Sequence, residues 1–120
     1  MSFRIRVIKM GKEKDCFQLY FKHAQYEKAI EGYLSCLDSV GSLKERAQLE
    51  YLIGKCYYKK GDFSRARIFY ERALHNSNDI EELKSKCYNE IGTVFYKERN
   101  INEAIKYFDK ALTFTEANTM

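Results

Sequence analysis

Tyr57-Tyr58-Lys59-Lys60-Gly61-Asp62-Phe63-Ser64-Arg65-Ala66 decides the fold, because its skeleton recurs on both sides of it. The word aromatic-aromatic-lysine stands at Tyr20-Phe21-Lys22, Tyr57-Tyr58-Lys59 and Phe95-Tyr96-Lys97, in steps of 37 and 38 residues. Six residues beyond the start of each copy comes an aromatic or branched apolar residue (Tyr26, Phe63, Ile101). Three further comes an alanine (Ala29, Ala66, Ala104). Self-similarity at a fixed period of this length marks a repeat protein, in which each unit buries its apolar face against its neighbours. Such an array is usually a surface for holding something and seldom a machine for breaking bonds.

Breaks punctuate the chain between the copies. They fall at Ser39-Val40-Gly41-Ser42, Lys60-Gly61-Asp62, His75-Asn76-Ser77-Asn78-Asp79 and Arg99-Asn100. Between them apolar residues recur three and four apart, the helical period. Ser42 with Glu45 and Asp79 with Glu82 have the spacing of a capping box, and Asn100 with Glu103 fits it with Asn in place of Ser or Thr. Asp62 suits an N-cap, and Gly61 suits the left-handed residue that ends the helix before it. The sequence holds no proline and six glycines, which suits long helices. The expectation is six helices, at about 12–23, 26–38, 43–60, 63–76, 80–98 and 101–116. They pair into three antiparallel hairpins within one all-α domain over 1–120, with repeats at about 10–41, 42–78 and 79–118. Met1 to Lys9 alternates Phe3, Ile5 and Val7 with Arg4 and Arg6. That pattern fits a short strand, an extra turn of the first helix, or a disordered end.

Composition bounds the function. Charged residues are 32% and apolar residues 45% of the chain, as in a soluble helical-repeat protein. No apolar run approaches a membrane span, and no signal peptide is read at the start, so a cytoplasmic location is expected. The net charge of +4 permits an acidic partner without requiring one. Cys16, Cys36, Cys56 and Cys87 match no zinc or redox spacing and read as free thiols of a reducing compartment, although Cys16 and Cys36 could face each other across one helix pair. His23 and His75 have no partner at ligand spacing, so no metal and no cofactor is expected. Phosphate loops, metalloprotease motifs and nucleophile elbows are absent, and an enzyme is the least favoured class.

The second and third hairpins resemble the tetratricopeptide repeat family. Its pattern wants a small residue midway along the first helix and an aromatic three residues on. In the second helix it wants a small residue, an aromatic four later and a small residue three further. Gly54, Tyr57, Ala66, Tyr70 and Ala73 fill those places, and so do Gly92, Phe95, Ala104, Phe108 and Ala111. Ile53 and Ile91 precede the glycines. Tyr88 stands where the family often has tryptophan, and Glu50 occupies that place one repeat earlier. The first hairpin matches at Tyr20, Ala29, Tyr33 and Cys36, but Phe17 sits where the small residue belongs. Its close helix contact is therefore expected to open wider or shift in register. Repeats of 37–38 residues look like those of peptide-sensing regulators of Gram-positive bacteria and of some eukaryotic scaffold proteins.

The resemblance implies an α-solenoid, with the first helices lining a concave groove and the second helices forming its back. If Tyr57 and Phe95 point into their hairpins, the next two residues turn away by about 100° each. Tyr58, Lys59, Tyr96 and Lys97 are then expected at the groove or its rim, with Phe21 and Lys22 repeating the arrangement. One and two turns earlier lie Gln18, Lys55 and Thr93, then Lys14, Tyr51 and Asn89, with Gln48 and Lys86 at the helix starts. The expected partner-binding residues are Lys14, Gln18, Phe21, Lys22, Tyr51, Lys55, Tyr58, Lys59, Lys86, Asn89, Tyr96 and Lys97. Their lysines outnumber Asp15 and Glu90, so the groove suits a peptide with acidic and apolar side chains.

Members of the family that grip acidic C-termini of heat-shock chaperones use a clamp of Lys and Asn, then Asn, then Lys and Arg. This chain matches that clamp at Lys14 and Lys86 only. Gln18, Leu52 and Glu90 fill the other places, and Glu90 would repel a carboxylate, so the chaperone clamp is set aside. The function expected is a protein- or peptide-docking scaffold. The alternatives are the sensor part of a bacterial peptide-responsive regulator, or single-stranded nucleic-acid binding, which the small charge excess disfavours. The last helix carries Ile105, Phe108 and Leu112 along one side with nothing after it in sequence to cover them. Either the chain continues in a longer array, or it forms a homodimer through the last repeat.

Overall fold

A computed structural model of the protein describes residues 15–119, with side chains from 15 to 114. Lys14 and the alternating segment Met1 to Lys9 lie outside that range. Helix α1 occupies 15–22. It is followed by α2 (Tyr26–Leu37), α3 (Leu43–Lys60), α4 (Phe63–Asn76), α5 (Glu81–Lys97) and α6 (Ile101–Thr119). No strand occurs among the described residues. Helices adjacent in sequence pack together, and α3 also touches α5, as stacked hairpins require.

The recurring word is where each first helix stops. The carbonyls of Tyr20, Tyr57 and Phe95 accept from the N–H groups of Gln25, Asp62 and Asn100 at 2.8–2.9 Å. Those of Phe21, Tyr58 and Tyr96 accept from Ala24, Gly61 and Arg99 at 3.0–3.1 Å. This pair of bonds is the Schellman ending, which satisfies carbonyls left over at a helix terminus. It needs one left-handed residue, and Ala24, Gly61 and Arg99 all have positive φ (60°, 92° and 65°). The next helices start on side-chain caps. Ser42 accepts from the Glu45 N–H at 3.1 Å, Asp62 from Arg65 at 3.2 Å and Asn100 from Glu103 at 3.4 Å. The box expected at Asp79 and Glu82 does not form. Instead Ile80 takes the N-cap position of α5 without a side-chain bond, and its own side chain packs against Ala47, Ala73, Leu83 and Cys87. Apolar anchoring outweighs the cap at that end.

Two of the three hairpins close glycine against ring. A Cβ on Gly54 would lie 2.7 Å from the Tyr70 ring, and one on Gly92 would lie 2.8 Å from Phe108. Tyr57 then stacks on Phe69 and Phe95 on Tyr107, with ring centroids 5.6 and 5.4 Å apart. The first hairpin neither opens nor slips, contrary to expectation. Phe17 reaches across to Gly32, which stands where the other repeats have Phe69 and Tyr107, and meets Tyr33 edge-on at 5.4 Å. Between hairpins, Ala29, Ile30, Tyr33 and Cys36 meet Leu49, Ile53 and Cys56. Likewise Ala66 and Tyr70 meet Ile91 and Val94. Glu50 is buried where the family often has tryptophan, and Asn76 donates to its carboxylate at 2.6 Å.

Candidate functional site: the trough along the first helices

Helices α1, α3 and α5 share one side of the stack, and two adjoining concavities run across them. The first has a volume of about 230 Å³ and lies between α1 and α3, lined by Gln18, Phe21, Lys22, Leu52 and Lys55 over a floor of Tyr33 and Cys56. The second, about 460 Å³, shares Gln18 and Leu52 and extends past Gln48 and Tyr51 to Glu82, Leu83 and Lys86 on α5. A third, about 450 Å³, opens at the end of the stack between Ser85, Lys86, Asn89, Phe108, Ala111 and Leu112.

The structure thus brings together Gln18, Phe21, Lys22, Tyr51, Lys55 and Lys86, with Asn89 just beyond Lys86. Tyr58, Lys59, Tyr96 and Lys97 line none of these three concavities. Tyr58 is half-buried, 5.6 Å from the Phe63 ring and packed on the core of Ala66, Tyr70, Ile91 and Val94. Tyr96 fills the same place in the last repeat and is exposed, as are Lys59 and Lys97 at the helix ends. Gln48, expected on the groove side at the start of its helix, lines the trough, and so does Leu52, which is not among the expected binding residues. Leu52 mismatches the chaperone clamp, yet its place one turn before Lys55 on the same helix is a signal that points to it.

The electrostatics of the trough are uneven. Lys86 pairs with Glu82 at 3.4 Å, which cancels part of the positive charge at the α5 end. Lys55 sits over two rings, 5.8 Å from the centroids of both Phe21 and Tyr51. Burial pushes the Tyr51 phenol up to about 12, with help from the nearby Glu90 carboxylate. The Tyr70 hydroxyl donates to Glu90 at 3.4 Å beneath it. These phenols are therefore neutral hydrogen-bonding groups at neutral pH. Among the described residues no three His, Cys, Asp or Glu side chains gather as metal ligands; Cys16 is exposed, and Cys36, Cys56 and Cys87 are buried. No helix of the described residues is long and apolar enough to cross a membrane.

A stack of helical hairpins with a side-chain-lined trough along its first helices defines a helical-repeat scaffold. Two sequence-family models described as tetratricopeptide repeat match residues 47–79 and 85–118, together more than half of the chain. The chain belongs to the tetratricopeptide repeat family, whose members typically mediate protein–protein interaction.

It is 26% identical over 112 residues to heat shock protein STI1 of Saccharomyces cerevisiae, a stretch that spans 88% of this chain and 18% of STI1. Among solved structures it is similar to the tetratricopeptide domain of Arabidopsis FLU, with a TM-score of 0.79, 16% identity and coverage of 90% of this chain and 95% of that one. MamA gives 0.78, 21% identity and coverage of 92% and 60%. The second tetratricopeptide domain of Spaghetti (RPAP3), bound to the HSP90 peptide SRMEEVD, gives 0.73, 26% identity and coverage of 88% and 91%.

Proposed function

We propose that the chain is a non-catalytic docking module that receives a protein or peptide segment along the trough of α1, α3 and α5. The observation that carries this reading is the continuity of the two concavities, which share Gln18 and Leu52 and so offer one extended path over three helices. The residues along it suit an extended or helical segment with apolar and acidic side chains. Phe21, Tyr51 and Leu52 offer apolar area, Gln18 and Gln48 offer amide groups to a backbone, and Lys22 and Lys55 offer positive charge. The peptide-bound RPAP3 domain supports a peptide as the partner. Leu52 and Glu90 argue against a clamp on a terminal carboxylate, since one is apolar and the other repels it.

The test is recovery of partners by the intact chain and by a Lys55→Glu, Lys86→Glu variant, with Glu71→Lys, Arg72→Glu on the back helix α4 as control. Loss with the first variant alone is expected. Equal recovery by all three proteins would move the binding surface off the trough.

Self-association through the last hairpin is a second reading. It is supported by the exposed side chains of Tyr96, Ile101, Ile105 and Leu112, which form an uncovered apolar face at the end of the stack.

A further inference from the structure

We infer that the cleft between α1 and α3 takes one large apolar side chain of the docked segment, with a neighbouring carboxylate of that segment held between Lys22 and Lys55. This rests on the trough reading above and names the chemistry of its occupant.

The cleft has an apolar wall and a basic mouth. Phe21 and Leu52 form the sides, while fully buried Tyr33 and Cys56 form a floor already withdrawn from water. A side chain seated there exchanges water contact for packing on rings and alkyl groups, the larger source of affinity in such a pocket. Gln18, Lys22 and Lys55 stand around the opening.

The equivalent place one repeat later is built differently. Tyr33, Leu52 and Lys55 correspond in register to Tyr70, Glu90 and Thr93. There the Tyr70 hydroxyl donates to Glu90 at 3.4 Å and the Tyr51 ring lies 5.8 Å from that of Tyr70, so the space is polar and occupied. Leu52 in place of a carboxylate makes the first cleft a hydrophobic receptacle, and the two places select for different groups along one bound segment.

Charge fixes what accompanies the apolar side chain. Neither Lys22 nor Lys55 has a carboxylate within ion-pair distance among the described residues, whereas Lys86 next door is paired with Glu82. The two rings under the Lys55 ammonium keep its stem over the cleft mouth. A carboxylate one or two positions from the apolar side chain would meet both ammonium groups at that mouth, with a charge-assisted hydrogen bond at each.

The experiment is selection of a displayed library of random 12-residue peptides on the full chain, followed by titration of synthetic peptides from the enriched set. Enrichment of Leu, Met or Phe within two positions of Asp or Glu is expected. Changing that apolar residue to Ala should weaken binding by about 10- to 100-fold. Leu52→Lys should abolish the enrichment with helicity unchanged. Should Leu52→Lys disturb the fold, Lys55→Glu replaces it and should reverse the preference from acidic to basic peptides.

Peptides that bind without the apolar-acidic pair, and that respond to Lys86→Glu but not to Leu52→Lys, would overturn this inference and leave the trough reading standing. Peptides indifferent to every trough substitution, or no binders at all, would overturn both. Binding that emerges only after removal of residues 1–10 would make the chain's own N-terminus the occupant and overturn the inference.

Discussion

Phe17 and Gly32 have exchanged sizes relative to the rest of the array: the ring on α1 occupies the space that a side chain on α2 would need. In the second repeat the same two positions are Gly54 and Phe69. The small residue has moved from the first helix to the second, and the aromatic has moved the other way. Each hairpin keeps one glycine and one extra ring, so the helices stay close. Gly32→Ala should therefore destabilise the chain by about 1–3 kcal/mol, because the Phe17 ring must leave its place. Phe17→Ala should also destabilise it, by lost packing on Tyr33. In the double variant the two costs should fall well short of their sum, since the methyl enters the space the ring vacates. Urea unfolding of the four proteins checks this, and strict additivity would sink the exchange.

Most of the fold was legible for simple reasons. Helix bounds follow from local chemistry: Gly61 ends one helix, while Ser42 and Asp62 begin others, and their bonds are as expected. The exchange at Phe17 was missed because it lies in a pair fifteen residues apart. Its signal was present, since Gly32 breaks a register held by Phe69 and Tyr107. The trough was harder to read. Tyr58 and Tyr96 are the same letter of the repeat, yet one is half-buried beside α5 and the other exposed, because nothing described follows α6. A residue whose surroundings are set by the next hairpin cannot be placed from its own helix. Leu52 is the converse case, a place whose value depends on Phe21 and Tyr33 across the junction.

The three left-handed turn residues make a graded experiment. Ala24, Gly61 and Arg99 share one conformation and one bonding pattern, but only the second lacks a Cβ. Gly61→Ala should cost about 1–2 kcal/mol through the clash of a Cβ in that region. Ala24→Gly and Arg99→Gly should each stabilise by about 0.5–1 kcal/mol, the relief of strain being partly offset by a freer unfolded chain. Urea midpoints measure all three. Destabilisation by both glycine substitutions would mean that the turns are held by side-chain contacts.

Buried phenols and thiols set an alkaline limit. Burial pushes Tyr33 and Tyr51 up to about 12, Cys56 up to about 11 and Cys87 up to about 12. It pushes Tyr70 further still, with Glu90 adding to the shift. In every case the folded value lies above the unfolded one, so the folded state favours the protonated form. The contribution is fully present below the unfolded values of about 8.5 for thiol and about 10 for phenol, and is lost as pH rises through about 11–12. The melting temperature should be flat from neutrality to about pH 8, decline as the unfolded thiols ionise above it, and fall more steeply beyond about pH 10 as the phenols join. At pH 8 a disulfide reagent should label exposed Cys16 promptly, and buried Cys36, Cys56 and Cys87 only as fast as the chain opens. Prompt labelling of several thiols in the native chain would contradict this packing.

The end of the stack carries the last prediction. Ile30 is 6% exposed beneath the second hairpin, whereas Ile105 in the same register is 52% exposed; Tyr96, Ile101 and Leu112 beside it are 58%, 47% and 55% exposed. At the two inner junctions the covering helix presents Leu49, Ile53 and Cys56, or Cys87, Ile91 and Val94, each set at i, i+4, i+7. Helix α6 has Ile101, Ile105 and Phe108 at that same spacing. The last hairpin therefore offers both the receiving surface and the stripe that inner junctions lay upon it. Such self-complementarity favours a two-fold dimer of this face. Sedimentation equilibrium at high micromolar concentration should give twice the chain mass. Ile105→Glu with Leu112→Glu should return the chain mass with helicity unchanged, since both side chains lie outside the core of the hairpin. A chain that stays monomeric throughout that range would overturn the dimer.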